Sequence, residues 1–83
     1  MAHPELGNRL KVLRAERDLT QADLAQRVGV TRKTINTVER GVFVPSTLLA
    51  LRLARVLGVP VEDVFQLLDE ESGGRARAGA SPA

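Results

Sequence analysis

The stretch TQADLAQRVGVTRKTINTVERG, Thr20 to Gly41, limits this chain more than any other feature. Two short amphipathic segments flank Gly29, where a glycine can take the positive φ that ends one helix and enters a tight turn. The spacing predicts a first helix from Gln21 to about Val28 and a second from about Arg32 to Arg40. Leu24, Val28, Ile35 and Val38 recur at intervals of four and three, so they form one inward face. Two helices braced across so short a turn must cross closely. Ala25 supplies the small side chain needed at that crossing. Arg32, Lys33, Asn36 and Thr37, with Arg40 beyond them, remain on the outer side of the second helix. None of these five is apolar, and together they suit an anionic, hydrogen-bonding partner.

The flanking sequence supplies further helices around this pair. Leu6, Leu10 and Leu13 are spaced four and three apart, which predicts an amphipathic helix from about Glu5 to Arg17, with Leu19 plugging the connection after it. Thr20 is a good N-cap, Asp23 three residues later completes a capping-box-like arrangement, and Thr31 and Ser46 are expected N-cap residues for the helices that follow them. Thr31 is open to a second role as a ligand contact. Pro45 keeps Val44 extended, so VFVPS is a connection. TLLALRLARVLG is then a fourth helix ended by Gly58, with Leu49, Ala50, Leu53, Ala54 and Leu57 as its core stripe. Pro60 suits the start of a fifth, with Glu62 and Asp63 favourably placed near its N-terminus. The expected fold class is therefore all-α, a compact five-helix domain. Its expected limits are residues 5–69, with a flexible start at 1–4 and a disordered tail at 70–83 of small and polar composition.

Composition narrows the function classes. The 83 residues contain no cysteine, Trp or Tyr, two Phe and one histidine, His3. Thiolate metal sites and disulfides are thereby ruled out. Aromatic platforms for single-stranded nucleic acid have almost nothing to build on. There is no phosphate-binding glycine loop and no carboxylate pair that the pattern places in a pocket, so an enzyme, a metal site and a cofactor are not expected. No apolar run approaches the roughly 18 to 20 residues that cross a bilayer, and the N-terminus lacks a signal-peptide core, so a cytoplasmic protein is expected. Charge is uneven along the chain. Residues 1–41 hold eight Lys and Arg against five acids, whereas residues 42–71 hold two against five. The positive half coincides with the two-helix unit and suits a phosphate backbone.

These residues resemble the Cro/CI-type helix-turn-helix family (the XRE family) of bacterial and phage transcriptional regulators. The resemblance runs from about Asn8 to Phe65. It is strongest where Thr-Gln opens the first helix of the pair, Ala25, Gly29 and Ile35 occupy the family's marker positions, and Glu-x-Gly closes the second. It implies a lambda-repressor-like DNA-binding domain whose partner is double-stranded DNA. Arg32, Lys33, Asn36 and Thr37 are the implied base readers in the major groove, where Arg and Lys suit guanine, Asn suits adenine and a Thr methyl suits thymine. Gln21, Thr31 and Arg40 are implied phosphate contacts. The family also pairs an Arg of the first helix with the Glu closing the recognition helix. Arg14 and Glu39 match those positions, and a fold-bracing ion pair is favoured for them over a DNA contact.

Two departures stand out. The loop reads VFVP where relatives carry polar residues, and Leu48 occupies a commonly charged site. With Val61, Val64, Phe65, Leu67 and Leu68 these leave an apolar excess that a monomer would expose. A homodimer is therefore expected, with the fifth helix as leading interface and the fourth helix and VFVP loop as the alternative. A dimeric repressor reading two half-sites about 34 Å apart is one expected function. The other is an antitoxin-like or other protein-interaction module whose DNA binding is autoregulatory, with a regulatory protein partner.

Overall fold

The computed structural model describes residues 5–68. The expectations for 1–4, for His3 and for the tail lie outside the described residues. The elements are β1 (Leu6–Asn8), α1 (Leu10–Glu16), α2 (Gln21–Val28), α3 (Arg32–Glu39), α4 (Thr47–Leu57), α5 (Val61–Val64) and β2 (Phe65–Leu67).

Each of the three central helices begins where a hydroxyl caps it. Thr20 accepts from Asp23 N–H at 2.9 Å while the Asp23 carboxylate accepts from Thr20 N–H at 3.0 Å, a reciprocal capping box. Thr31 accepts from Thr34 N–H at 3.2 Å and Ser46 from Leu49 N–H at 3.1 Å. Gly29 and Gly58 end α2 and α4 at φ of 78° and 73°, in the left-handed region that costs glycine least. Asp18 takes a positive φ of 55° as α1 gives way to the connection.

The core gathers the inward faces of all five helices. Leu10, Leu24, Ile35, Leu53, Val38 and Val64 are its largest fully buried side chains, and Leu13, Ala25, Val28, Leu49, Ala54 and Leu57 complete it. Leu19, Val56, Val61 and Phe65 pack on its margin.

The fold corrects the all-α expectation. It is a mostly helical helix-turn-helix fold of five helices with a two-stranded antiparallel sheet. In that sheet Leu6 faces Leu67, Gly7 faces Gln66 and Asn8 faces Phe65. Bonds from Leu68 N–H to Glu5 C=O at 2.8 Å and from Arg9 N–H to Val64 C=O at 2.9 Å extend the pairing at both ends. The first helix therefore starts at Leu10, not Glu5, and the fifth ends at Val64. Gly7 and Asn8 are poor helix residues, and the strand that recruits them comes from the far end of the chain. Leu6 leaves the helical stripe and Phe65 and Leu67 leave the fifth helix for this sheet. Among the described residues no helix is long and apolar enough to cross a membrane.

Candidate nucleic-acid interface

α3 presents two contrasting faces. Ile35 and Val38 are 0% and 1% exposed, so the helix cannot roll without breaking the core. Fixing that inner face fixes the outer one. Arg32, Lys33 and Arg40 lie exposed there, with Asn36 and Thr37 half-buried between them. Among the described residues, Arg32, Lys33 and Arg40 form no ion pair. Thr37 donates its hydroxyl to Thr34 C=O at 2.9 Å, which satisfies the polar group locally. Asn36 makes no side-chain hydrogen bond within the described residues, leaving a carboxamide with both a donor and an acceptor for an outside group. Thr31 serves as the N-cap and also exchanges a hydroxyl bond with Thr34 at 3.1 Å. It still sits exposed at the end of α3 where N–H groups lack intrahelical acceptors.

Behind this face, one carboxylate ties three helices together. Arg14 Nε donates to Glu39 Oε2 at 2.7 Å and Arg14 Nη2 to Glu39 Oε1 at 3.3 Å, a two-pronged pair. Gln21 Nε2 donates to the same Oε1 at 3.0 Å. The two charged side chains are 14% and 5% exposed. The hydrogen bond to Glu39 holds the Arg14 guanidinium above its ordinary pKa, against the opposing effect of burial. Arg14 Nη1 also donates to Leu19 C=O at 2.8 Å, securing the connection into α2. The network joins α1 to the last turn of α3 and to the first residue of α2. Gln21 is thus held by Glu39 at the N-terminus of α2. Its amide nitrogen has two hydrogens, and the bond to Glu39 uses one.

Two further anchors were not singled out in the sequence. Asn8 donates from Nδ2 to Val38 C=O at 3.1 Å and accepts from Leu10 N–H at 3.1 Å, so one side chain starts α1 and pins the last turn of α3. Its identity as an asparagine before a helix was a local signal for the second bond; nothing local marked the first. Arg17, the residue that closes α1, donates to Leu57 C=O at 2.8 Å and to Leu13 C=O at 2.8 Å, capping the end of α4.

The proposed interface residues separate into distinct places. Val64 is 0% exposed and is core, so it offers no surface to a partner. Val61 and Phe65 are half-buried and line a shallow groove of about 250 Å³ with Leu6, Val44, Pro45 and Leu51. Leu48 is exposed on α4, and Leu67 and Leu68 are exposed at the end of the sheet. Among the described residues no three His, Asp or Glu side chains gather as metal ligands would.

Two helices joined at a left-handed glycine, the second locked by the core along its inner face and showing a basic and amide-bearing outer side, define a helix-turn-helix DNA-binding domain. The sequence profile described as a helix-turn-helix domain matches residues 5–67, and the chain belongs to that family, in its Cro/CI-type branch of transcriptional regulators. The chain is 47% identical over 64 residues to an uncharacterized HTH-type transcriptional regulator of Methanocaldococcus jannaschii, covering 77% of this chain and 97% of that one. It is 34% identical over 59 residues to the immunity repressor protein of Bacillus phage phi105, covering 71% of this chain and 41% of the repressor. Its structure superposes on the restriction-modification controller protein C.AhdI of Aeromonas hydrophila with a TM-score of 0.63 at 34% identity, over 66% of this chain and 83% of the other. By their names these relatives are a transcriptional regulator, a repressor and a controller protein.

Proposed function

We propose that the chain is a transcriptional repressor that binds double-stranded DNA as a homodimer, placing one α3 in the major groove of each half-site. The observation that carries this reading is the outer side of α3. Three cations without an ion pair among the described residues and one carboxamide without a hydrogen bond surround a helix whose other side is fully buried. Arg32, Lys33, Asn36 and Thr37 are the base readers in this scheme. Arg40, Thr31 and Gln21 hold phosphates, and Gln21 would do so with the amide hydrogen that Glu39 leaves free.

The roles divide by chemistry. A base reader discriminates, so its loss costs about 1 to 3 kcal/mol on the preferred sequence and relaxes specificity at one position. A phosphate ligand contributes almost equally on every sequence and changes the salt slope by about one unit. Selection of bound duplexes from random DNA, followed by salt titrations of the enriched sequence, separates the two. Arg32→Ala and Lys33→Ala should weaken the enriched duplex and broaden the selected motif. Arg40→Ala should weaken all duplexes alike. Failure to enrich any sequence, or variants at Arg32 and Lys33 that bind as the wild type does, would remove the proposal.

A further inference from the structure

Where the last turn of α2 meets α4, a concavity of about 340 Å³ opens beside the corner of the helix pair. Gln26, Arg27 and Gly29 line it from α2, and Arg52, Arg55 and Val56 from α4. Among the described residues it is lined by no acid and by no residue of α3, so it stands apart from the DNA-reading side. The three arginines are exposed and form no ion pair among the described residues. Asp23, one turn before Arg27, is engaged elsewhere, since its carboxylate accepts from Thr20 N–H at 3.0 Å.

Helix electrostatics accounts for two of these cations. Arg27 and Arg55 occupy the last turns of α2 and α4, where a positive charge offsets the negative end of the helix dipole. Arg52 has no such reason. It lies in the middle of α4, three residues before Arg55, at a spacing where like charges on one helix repel. Its guanidinium nevertheless reaches across to the corner, with Nη1 3.9 Å from the place a Cβ on Gly29 would take. No acceptor among the described residues meets its N–H donors there. Like charges drawn together over a bare glycine, with no acid between them, are relieved by an anion from outside. Guanidinium forks pair in two-pronged fashion with phosphate oxygens, and three of them about one small space match a compact group of several oxygens better than a row of separate carboxylates. We infer that the junction of α2 and α4 is a phosphate-binding site, with Arg52 and Arg55 holding the group from one side and Arg27 from the other. The phosphate comes from a free polyphosphorylated molecule or from the DNA backbone beyond the half-site, and the chemistry of recognition is the same for both. The inference goes beyond the repressor reading and does not depend on it.

Titrating the full chain with sodium tripolyphosphate in dilute buffer, without DNA, tests the site by NMR. The Gly29 amide and the Nε–H signals of Arg27, Arg52 and Arg55 should shift together and saturate. Arg52→Gln with Arg55→Gln should weaken this binding by at least about tenfold, the equivalent of about 1.4 kcal/mol. Arg27→Gln, on the other helix, should weaken it as well, whereas Arg32→Gln with Lys33→Gln should leave it nearly unchanged. Arg52→Lys with Arg55→Lys keeps the charge without the forks and should recover only part of the affinity. The dispersion of the amide signals identifies any variant that has merely unfolded. Shifts confined to α3, shifts that never saturate, or binding indifferent to Arg52 and Arg55 would each overturn the inference. Tighter binding of polyglutamate than of tripolyphosphate at the same arginines would overturn it in favour of an acidic protein partner. DNA then identifies the source of the phosphate. If flanking DNA supplies it, a selected duplex extended by about one helical turn on each side, roughly 10 base pairs, should show a steeper salt dependence than the shortest bound duplex. Arg52→Gln with Arg55→Gln should remove that difference, about two units of slope. If a free ligand supplies it, both duplexes should give one slope in wild type and variant alike. A chain that binds tripolyphosphate at these arginines but enriches no duplex defeats the repressor reading alone, and one that enriches a duplex but fails the tripolyphosphate titration defeats the phosphate site alone.

Discussion

Replacing Glu39 by Ala removes a carboxylate on which three side-chain hydrogen bonds converge, two from Arg14 and one from Gln21. The Arg14 side chain is only 14% exposed, so its charge would be left largely shielded from water with Leu19 C=O as its remaining acceptor. Breaking a buried pair by removing one partner costs about 3 to 5 kcal/mol, most of it from the orphaned charge. A domain with about 0.05 to 0.15 kcal/mol of stability per residue has roughly 3 to 10 kcal/mol in total at this size. Glu39→Ala should therefore lose about 3 kcal/mol or more and bring the domain close to unfolding at room temperature. With about 4 to 8 °C of melting temperature per kcal/mol in small domains, the midpoint should fall by about 12 °C or more. Urea and thermal unfolding followed by circular dichroism measure both, the chain having no Trp. The double variant Arg14→Met with Glu39→Leu removes both charges, and it should be more stable than Glu39→Ala despite lacking the pair. Because the pair is sheltered, the loss should persist in about 1 M salt, where exposed pairs are screened within roughly 3 Å. A loss under about 1 kcal/mol that vanishes in salt is the behaviour of a surface ion pair, and it would refute the bracing role.

The remaining expectations concern the backbone and the caps. Gly58→Ala and Gly29→Ala should each cost about 1 kcal/mol in urea unfolding, the penalty of a Cβ in the left-handed region. A Cβ at Gly58 would meet nothing within 4 Å, and one at Gly29 only the Arg52 guanidinium at 3.9 Å, so the two losses should be alike. Asn8→Ala deletes one bond to Val38 C=O and one from Leu10 N–H, and should cost about 1 to 2 kcal/mol at roughly 1 kcal/mol each. A neutral outcome would mean water replaces both. The bond from Thr20 N–H holds the Asp23 carboxyl below its ordinary range, and the bond with the Thr20 side chain acts in the same direction. A group whose pKa is depressed by folding stabilises the fold above its unfolded value of about 3.9 and loses that contribution as pH falls through the folded value. The melting temperature of the wild type should thus exceed that of Asp23→Ala at pH 7, and the difference should shrink below about pH 4. A difference that is constant down to about pH 2 would contradict the box.

Much of the site was legible because it is built from local signals. Thr20 with Asp23, Thr31, Ser46, Gly29 and Gly58 each act within about four residues of chain, so the bounds of α2 and α4 and the start of α3 follow from the order of residues. The four-and-three spacing of Leu24, Val28, Ile35 and Val38 then decides which side of α3 faces inward, and thereby exposes Arg32, Lys33 and Arg40. The Arg14–Glu39 pair is a partial exception. It joins residues 25 apart, and no periodicity reveals it; only likeness to a known pattern pointed to those positions.

What tertiary structure alone decided are the contacts between distant segments. Residues Leu6–Asn8 carry apolar spacing that continues the stripe of α1, yet they form a strand because Phe65–Leu67 arrives alongside and accepts and donates across the register. Likewise Val61 and Val64 are both apolar in a helix of four residues, and burial against the core rather than hydrophobicity separates the half-buried groove residue from the one that is 0% exposed. The Arg17 bond to Leu57 C=O and the Asn8 bond to Val38 C=O are of the same kind, since each spans at least 30 residues. Caps and helical periodicity are properties of neighbouring residues, so the sequence by itself determined the helix-turn-helix unit and its polar side. Strand pairing and the division of apolar side chains between core and surface depend on which segments meet, and only the assembled chain settled those.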